Sequence, residues 1–192
     1  MSTLDILEEV IVNRRTVKPA AMNGKLIADS EVRRILQLAD WAPTHGHTEP
    51  WRFFVYGPDA RFQFCRRHAE MYQQYTEEQI FLQANYDKLL HMADHASHVI
   101  VAAMKSGSNP KIPPQEELIA TACSVQNLLL GCAASGLACY WGTGGMTYHP
   151  KFKEPLGLRE EDIVLGTLYL GYSDDHRKGR RLIPLEDKIN WG

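Results

Sequence analysis

Residues 115–135 read QEELIATACSVQNLLLGCAAS, and this stretch decides the fold. Leu118, Ala122, Val125, Leu129 and Cys132 recur at three- and four-residue steps, the spacing that lines one face of an α-helix. Ala120, Cys123, Leu128, Leu130, Ala133 and Ala134 widen the apolar surface almost all the way round. A helix that is apolar on nearly every side has to be buried, either at the centre of a domain or against another subunit. Gly136 follows where a left-handed residue commonly closes a helix.

The neighbouring segments supply the partners. VIVAAM at 99–104 is short and nearly all apolar, which predicts a strand covered on both faces. Between it and the helix, Gly107, Pro110, Pro113 and Pro114 predict a surface loop. Residues 137–141 and 163–170 predict two more strands. WRFFVY at 51–56 predicts another, closed by Gly57-Pro58. Helices are predicted over 3–12, with Ser2 or Thr3 as cap, and over 30–41, with Asp29 or Ser30 as cap and Val32, Ile35, Leu36 and Ala39 on one face. Residues 59–96 read as helical in two pieces. Residues 173–192 read as a polar, extended tail. Helices and strands mix without strict β-α-β alternation. The predicted class is therefore α+β, a mostly antiparallel central sheet wrapped by helices. No repeat, low-complexity tract or linker divides residues 1–192, so a single domain is expected.

A chain of 192 residues, 44% of them hydrophobic, supports one compact core. A formal net charge of −2, with 23% charged residues, gives no electrostatic footprint for nucleic acid or an acidic membrane surface. The N-terminal MSTLDILEEVIVNRR has acidic residues inside its apolar pattern and does not read as a secretion signal. No run reads as the roughly 20 apolar residues of a spanning helix, so a cytoplasmic protein is expected. Cys65, Cys123, Cys132 and Cys139 form no C-x-x-C pair and read as small buried hydrophobes in a reducing compartment.

Four clusters could carry chemistry. Arg14-Arg15-Thr16-Val17-Lys18 follows the first helix and offers guanidinium forks with a hydroxyl, a mixture suited to a phosphate. The plain alternative is a solvated basic helix end that complements the helix dipole. Ala42-Pro-Thr-His-Gly-His-Thr-Glu-Pro-Trp51 is a polar loop in which His45 and Glu49 can hydrogen-bond ring edges or hydroxyls. It also reads as a simple turn before a core strand. Tyr140-Trp141-Gly142-Thr143-Gly144-Gly145 allows close backbone approach but is not the G-x-G-x-x-G dinucleotide fingerprint. Lys178-Gly179-Arg180-Arg181 is a second cationic group, or else a solvated charge cluster. A metal hydrolase is a rival reading. His91-Met-Ala-Asp-His95 puts two histidines at i, i+4, and His98 follows. However, no further acidic ligand is marked, so no metal residue is assigned.

Taken together and in order, these motifs resemble the nitroreductase family. The resemblance rests on the first helix with Arg14-Arg15-Thr16, the loop ending Glu49-Pro50-Trp51-Arg52-Phe53, and the helix at 115–135. It continues through Trp141-Gly142-Thr143-Gly144, Leu168-Tyr169-Leu170-Gly171-Tyr172 and Lys178-Gly179-Arg180, and so covers nearly the whole chain. It implies an α+β homodimer of domain-swapped style with an extended C-terminal tail and FMN at the subunit interface. Arg14, Arg15, Thr16 and Lys18 would hold the FMN phosphate and pyrimidine edge, and Lys178 and Arg180 would complete the phosphate site. His45 and Glu49 would come from the partner chain, and Trp141, Gly142 and Thr143 would line the flavin ring.

The resemblance further implies ping-pong transfer from NADH or NADPH to a nitroaromatic, quinone or related acceptor, with no side chain as nucleophile, acid or base. Many relatives carry a neutral amide where Glu49 stands; an ionised carboxylate close to the flavin would lower its potential, whereas one that accepts a ribityl hydroxyl would change little. Phe62, Phe64, Tyr72, Tyr75, Phe81 and Tyr86 lie in the region that shapes acceptor choice in relatives, although at helical spacing most such aromatics are core. A dimer that stores FMN or senses redox state without turnover is the other reading.

Overall fold

The computed structural model describes residues 1–175 and 179–192. Helix α1 (Thr3–Asn13) leads by an extended segment to α2 (Asp29–Ala39) and strand β1 (Trp51–Tyr56). Helices α3 (Ala60–Tyr75) and α4 (Gln83–Leu90) precede β2 (His98–Met104). The long helix α5 (Pro114–Ala134), then β3 (Ala138–Gly142) and β4 (Ile163–Gly171), complete the order. The sheet runs β1-β2-β4-β3 with every pairing antiparallel. Thr16 adds a single parallel bridge at the β3 edge, opposite Cys139.

The apolar run of β2 is buried throughout because both faces of the sheet are covered. Val99, Val101 and Ala103 pack with Phe64, Ala69 and Leu89 of α3 and α4. Ile100, Ala102 and Met104 pack with Ile35 of α2 and Val125 and Leu128 of α5. The period-two alternation of a strand thus serves two cores with one segment. β4 does the same, with Tyr169 on the α3/α4 side and Leu168 and Leu170 on the α2/α5 side.

α5 lies against α2. Ser124 Oγ donates to the Ala39 carbonyl at 2.8 Å, and Asn127 Nδ2 donates to the Leu38 carbonyl at 3.4 Å, so α5 side chains satisfy the last carbonyls of α2. The C-terminus of α5 closes as expected. Gly136 takes φ +69°, its N–H donates to the Ala133 carbonyl and the Leu137 N–H donates to the Cys132 carbonyl, which is a Schellman motif. Two buried carboxylates pin the 105–113 loop. Glu117 accepts from the Gly107 N–H, and Asp162 accepts from the N–H groups of Ser106 and Arg159. Burial alone would raise the Asp162 pKa. The hydrogen bonds from Arg159 and the two backbone donors outweigh it and hold the carboxyl below its usual range.

Several expectations are corrected. α2 starts at Asp29 and is preceded by Ala28 without a side-chain cap, because the Asp29 carboxylate instead takes the His98 Nε2 at 2.9 Å. α2 stops at Ala39, so Trp41 leaves the helix face and is 86% exposed. Only 60–75 and 83–90 of the 59–96 segment are helical. The tail is not simply polar, since Leu182, Ile183, Leu185, Ile189 and Trp191 are all exposed. α5 is long and apolar enough to cross a membrane, contrary to the expectation that no run reaches that length. Half of it is buried inside the fold, and buried Glu117, Thr121 and Ser124 make internal hydrogen bonds there, as befits a core helix. The four cysteines are free, with Cys65, Cys132 and Cys139 buried and Cys123 half-buried.

His68 of α3 is buried, and its Nε2 accepts from the Met146 N–H at 2.8 Å. Burial lowers its pKa from 6.5 to about 4. Between those values the unfolded chain binds a proton that the folded chain refuses, so stability is complete above pH 6.5 and falls as the pH drops toward 4. The full loss is about 3 kcal/mol. His68→Gln keeps an acceptor for Met146 and should flatten this slope by one proton's worth in urea unfolding between pH 6.5 and 4. A variant with the parent's slope would contradict the assignment.

Candidate functional site: a basic cleft and a strained loop at opposite ends of one helix

The Arg14–Lys18 segment leaves α1 through a capped end, where the Arg14 N–H donates to the Val10 carbonyl at 3.0 Å. It then runs along the free edge of β3. The Val17 N–H donates to the Cys139 carbonyl at 3.1 Å, next to the Thr16–Cys139 bridge. Two sequence clusters, the basic segment and the strand that ends in the glycine turn, are therefore joined by backbone pairing. Arg14 and Arg15 are half-buried, while Thr16 and Lys18 are exposed. Arg15 Nη1 donates to the Arg14 carbonyl at 2.6 Å, but its Nε is buried without a hydrogen-bond partner among the described residues. A buried guanidinium nitrogen left unpaired costs about 1–3 kcal/mol, so an unpaired one marks a place for an acceptor.

These two arginines open onto a cleft of about 610 Å³. Its walls come from the last turns of α5, with Ala133 and Ala134, and from Ser173 and Asp175 after β4. The tail returns to the same place, since a side chain at Gly179 would collide with the Arg15 guanidinium. Arg180, next in sequence, is exposed. Lys178 lies outside the described residues. The sequence reading did not single out Ser173 or Asp175, because nothing in a polar tail distinguishes them before the chain is folded.

His45 and Glu49 sit elsewhere. His45 Nδ1 lies 2.6 Å from Glu116 Oε2, in the first turn of α5. The loop around them is strained, with positive φ at Gly46 (59°), His47 (55°) and Glu49 (42°). Thr44 Oγ1 steadies it by bonding Thr48 Oγ1 at 2.9 Å and accepting from the Glu49 N–H at 3.3 Å. Arg52 Nη1 donates to the Glu49 carbonyl at 2.9 Å, and the buried Trp51 indole anchors the strand start by donating to Asp40 Oδ1 at 2.8 Å. Both His45 and Glu49 are exposed. α5 has 21 residues, or about 30 Å at 1.5 Å per residue. Within one chain, the loop and the arginine cleft are thus held apart by the length of that helix.

Trp141 is half-buried, and its indole Nε1 donates to the Leu165 carbonyl at 3.0 Å on the α2/α5 side. Gly142 and Thr143 follow at the strand end, half-buried and exposed respectively. On the opposite sheet face a second cleft, of about 330 Å³, reaches Gly142 and Gly144 from between α3 and α4. Of the six aromatics between 62 and 90, Tyr72 lines it, whereas Phe64 packs in the core and Phe81 stacks on Tyr72 at 5.4 Å. The histidines of the metal reading do not converge. His91 bonds Asp94 on the surface, while His98 is buried between Ser97 and Asp29. No metal-ligating group of three or more such side chains occurs among the described residues.

Known proteins bear on this geometry. "Putative NAD(P)H nitroreductase YdjA" of Escherichia coli (strain K12) is 28% identical over 167 residues, covering 85% of this chain and 86% of its own. The crystal structure of a nitroreductase-like family protein from Bacillus cereus superposes with a TM-score of 0.80 at 28% identity, covering 100% of this chain and 98% of that one. The FMN-dependent nitroreductase NfnB from Mycobacterium smegmatis, solved with NADPH, superposes at 0.74 over the full length of both chains, and at 18% identity it shares the fold. The sequence profile of the Nitroreductase family matches residues 11–172, from the end of α1, through the arginine segment and α5, to the residue after β4. That match makes this chain a member of the nitroreductase family.

Proposed function

We propose that the protein is an FMN-dependent oxidoreductase that works as a homodimer in the cytoplasm. When bound, FMN would supply the redox chemistry, taking hydride from NADH or NADPH and passing electrons to a nitroaromatic, quinone or related acceptor. The observation that carries this reading is the separation of the site residues along α5. Arg14 and Arg15 lie at its C-terminal end and His45 and Glu49 at its N-terminal end, about 30 Å away. Two copies related by a two-fold axis across α5 bring the opposite ends together twice.

The residues present fit a phosphate monoester. The buried, unpartnered Arg15 Nε, the Arg14 guanidinium and the Thr16 hydroxyl supply donors with forked geometry. Arg180, directly after the Gly179 contact, would add charge from the tail, and Lys178, outside the described residues, is the second cation proposed there. Lys18 and the backbone of Gly142 and Thr143 would face the ring, with Trp141 buttressing them from behind. His45 and Glu49 would close the site from the second chain.

The apolar surface supports the dimer. α1 buries none of its residues in a single chain and exposes Leu4, Ile6, Leu7, Ile11 and Val12. Ile119 on α5 and five large apolar side chains of the tail are also uncovered. A helix with an open apolar face has little reason to form alone. Covering the five α1 side chains contributes about 5–10 kcal/mol before the cost of association.

Purified protein should be yellow, with one FMN per chain, and should bleach anaerobically with NADH or NADPH. A yellow protein that bleaches only slowly with both NADH and NADPH would favour storage or sensing. Arg15→Ala should weaken FMN binding about 10- to 100-fold with far-ultraviolet circular dichroism unchanged. Retention of the parent's affinity would remove Arg15 from the site. Two FMN-deficient chains, Arg15→Ala and a double variant His45→Ala/Glu49→Ala, should regain about a quarter of the parent's FMN when co-expressed, because random pairing makes half of the dimers mixed and each mixed dimer keeps one of its two sites intact. No recovery would mean that each site is built from a single chain. Glu49→Gln should raise the flavin midpoint potential in a redox titration, and an unchanged or lowered potential would place the carboxylate away from the ring.

A further inference from the structure

The cleft between α4 and the Gly142–Gly145 turn has features that the FMN assignment does not use. Its floor holds Thr167, which is 2% exposed and whose Oγ1 is buried without a hydrogen-bond partner among the described residues. Gly166, at φ 152°, accompanies a register shift between β2 and β4, and Thr167 follows directly on the strand. Tyr140 and Tyr169, paired across β3 and β4 with ring centroids 6.2 Å apart, give the cleft an aromatic wall. Lys88 and Asn85 of α4 stand at the rim, both exposed.

Lys88 is the one formally charged side chain among the described lining residues, and it forms no ion pair with any of them. The neighbouring Asp87 is engaged by Gln83 Nε2 at 2.8 Å. His68, also in the wall, accepts from the Met146 N–H and is held neutral by burial, so it contributes no charge at neutral pH. At about 330 Å³ the cleft is at the small end of ligand pockets, large enough for one substituted aromatic ring. A buried hydroxyl without a partner at the floor, aromatic walls and a lone cation at the rim describe a ligand with a flat apolar body, one polar end and one anionic end.

We propose that this cleft seats the electron acceptor and that Lys88 makes the protein prefer acceptors whose aromatic ring carries an anionic group, a carboxylate being the simplest. The inference rests on the flavin reading, because Gly142 belongs to both the cleft and the turn assigned to the ring. The phosphates of a nicotinamide nucleotide carry the same charge, and the test separates the two.

Anaerobic bleaching of the parent by NADH and by NADPH examines the flavin reading alone. Calorimetric titration of benzoate and benzamide into the oxidised holoprotein examines the cleft without turnover. Steady-state rates with 4-nitrobenzoate and 4-nitrobenzamide then compare one ring with and without the charge. Each nitro group takes two electrons and two protons, one proton and both electrons arriving as hydride from the nucleotide and one proton from solvent, to give the nitroso compound and water. The parent should bind benzoate and use 4-nitrobenzoate about tenfold better than the amides. Lys88→Gln, on an exposed helix position, should erase that preference through KM. It should leave the amide constants and nucleotide bleaching unchanged. Thr167→Val, which keeps the side-chain shape, should weaken both ring ligands about fivefold. A parent without carboxylate preference, or a Lys88→Gln variant that keeps it, overturns the proposal. So does a variant in which NADPH bleaching slows while the benzoate preference survives, since Lys88 would then serve the nucleotide. Lys88-dependent benzoate binding in a protein that neither nucleotide bleaches would uphold the cleft and reject the flavin reading.

Discussion

The contact between α5 and α2 is the constraint on which the other elements depend. Gly131 on α5 sits so close to α2 that a methyl there would press on Leu38 and Ile35, and the Ser124 hydroxyl is committed to the last carbonyl of α2. The helix cannot slide or rotate without opening that packing. Its register fixes where its two ends fall, and each end carries half of the proposed site. The face away from α2 is left with exposed Ile119 and half-buried Ala122 and Cys123, so the same rigid rod that organises the chain also presents a surface to be covered.

Each half-site carries a feature that is unfavourable in a lone chain. At one end the buried Arg15 Nε lacks an acceptor among the described residues. At the other, His47 and Glu49 hold left-handed backbone conformations that cost about 1–3 kcal/mol each in non-glycine residues. Elsewhere the chain obeys local rules closely, from the Ser2–Asp5 capping box to the Schellman turn at Gly136. Departures concentrated at two points, in a chain otherwise locally consistent, are what a functional site built from both of them would produce.

Much of this was legible in the sequence because its cause is local. The period-two alternation hidden inside the apolar run of β2, the helical repeat of α5 and the glycine after it each depend on neighbouring residues alone. The arginine segment was legible as phosphate-seeking chemistry. The Asp29 cap was not predictable in the same way, since a histidine 69 positions away competes for the carboxylate. Trp41 was assigned to a helix that ends two residues earlier, at the point where α5 takes over the terminal carbonyls. Thr167 is the lone aliphatic hydroxyl in the strand IVLGTLYLG, a signal present in the sequence but interpretable only once the register shift beside Gly166 is known. Lys88 and Asn85 gave no signal, because an exposed helix face looks the same whether or not a cleft opens beneath it.

The four tryptophans divide into two kinds. Trp51 is buried and Trp141 half-buried, and each indole N–H is committed to a partner inside the fold. Trp41 and Trp191 are 86% and 88% exposed on surfaces that a single chain leaves open. Intrinsic fluorescence therefore carries two independent signals. Emission from the first pair changes when the domain melts or when a flavin binds beside Trp141, and emission from the second reports whether a neighbour has covered it. Replacing one pair with phenylalanine turns the molecule into its own gauge of assembly, readable at any dilution without an added label.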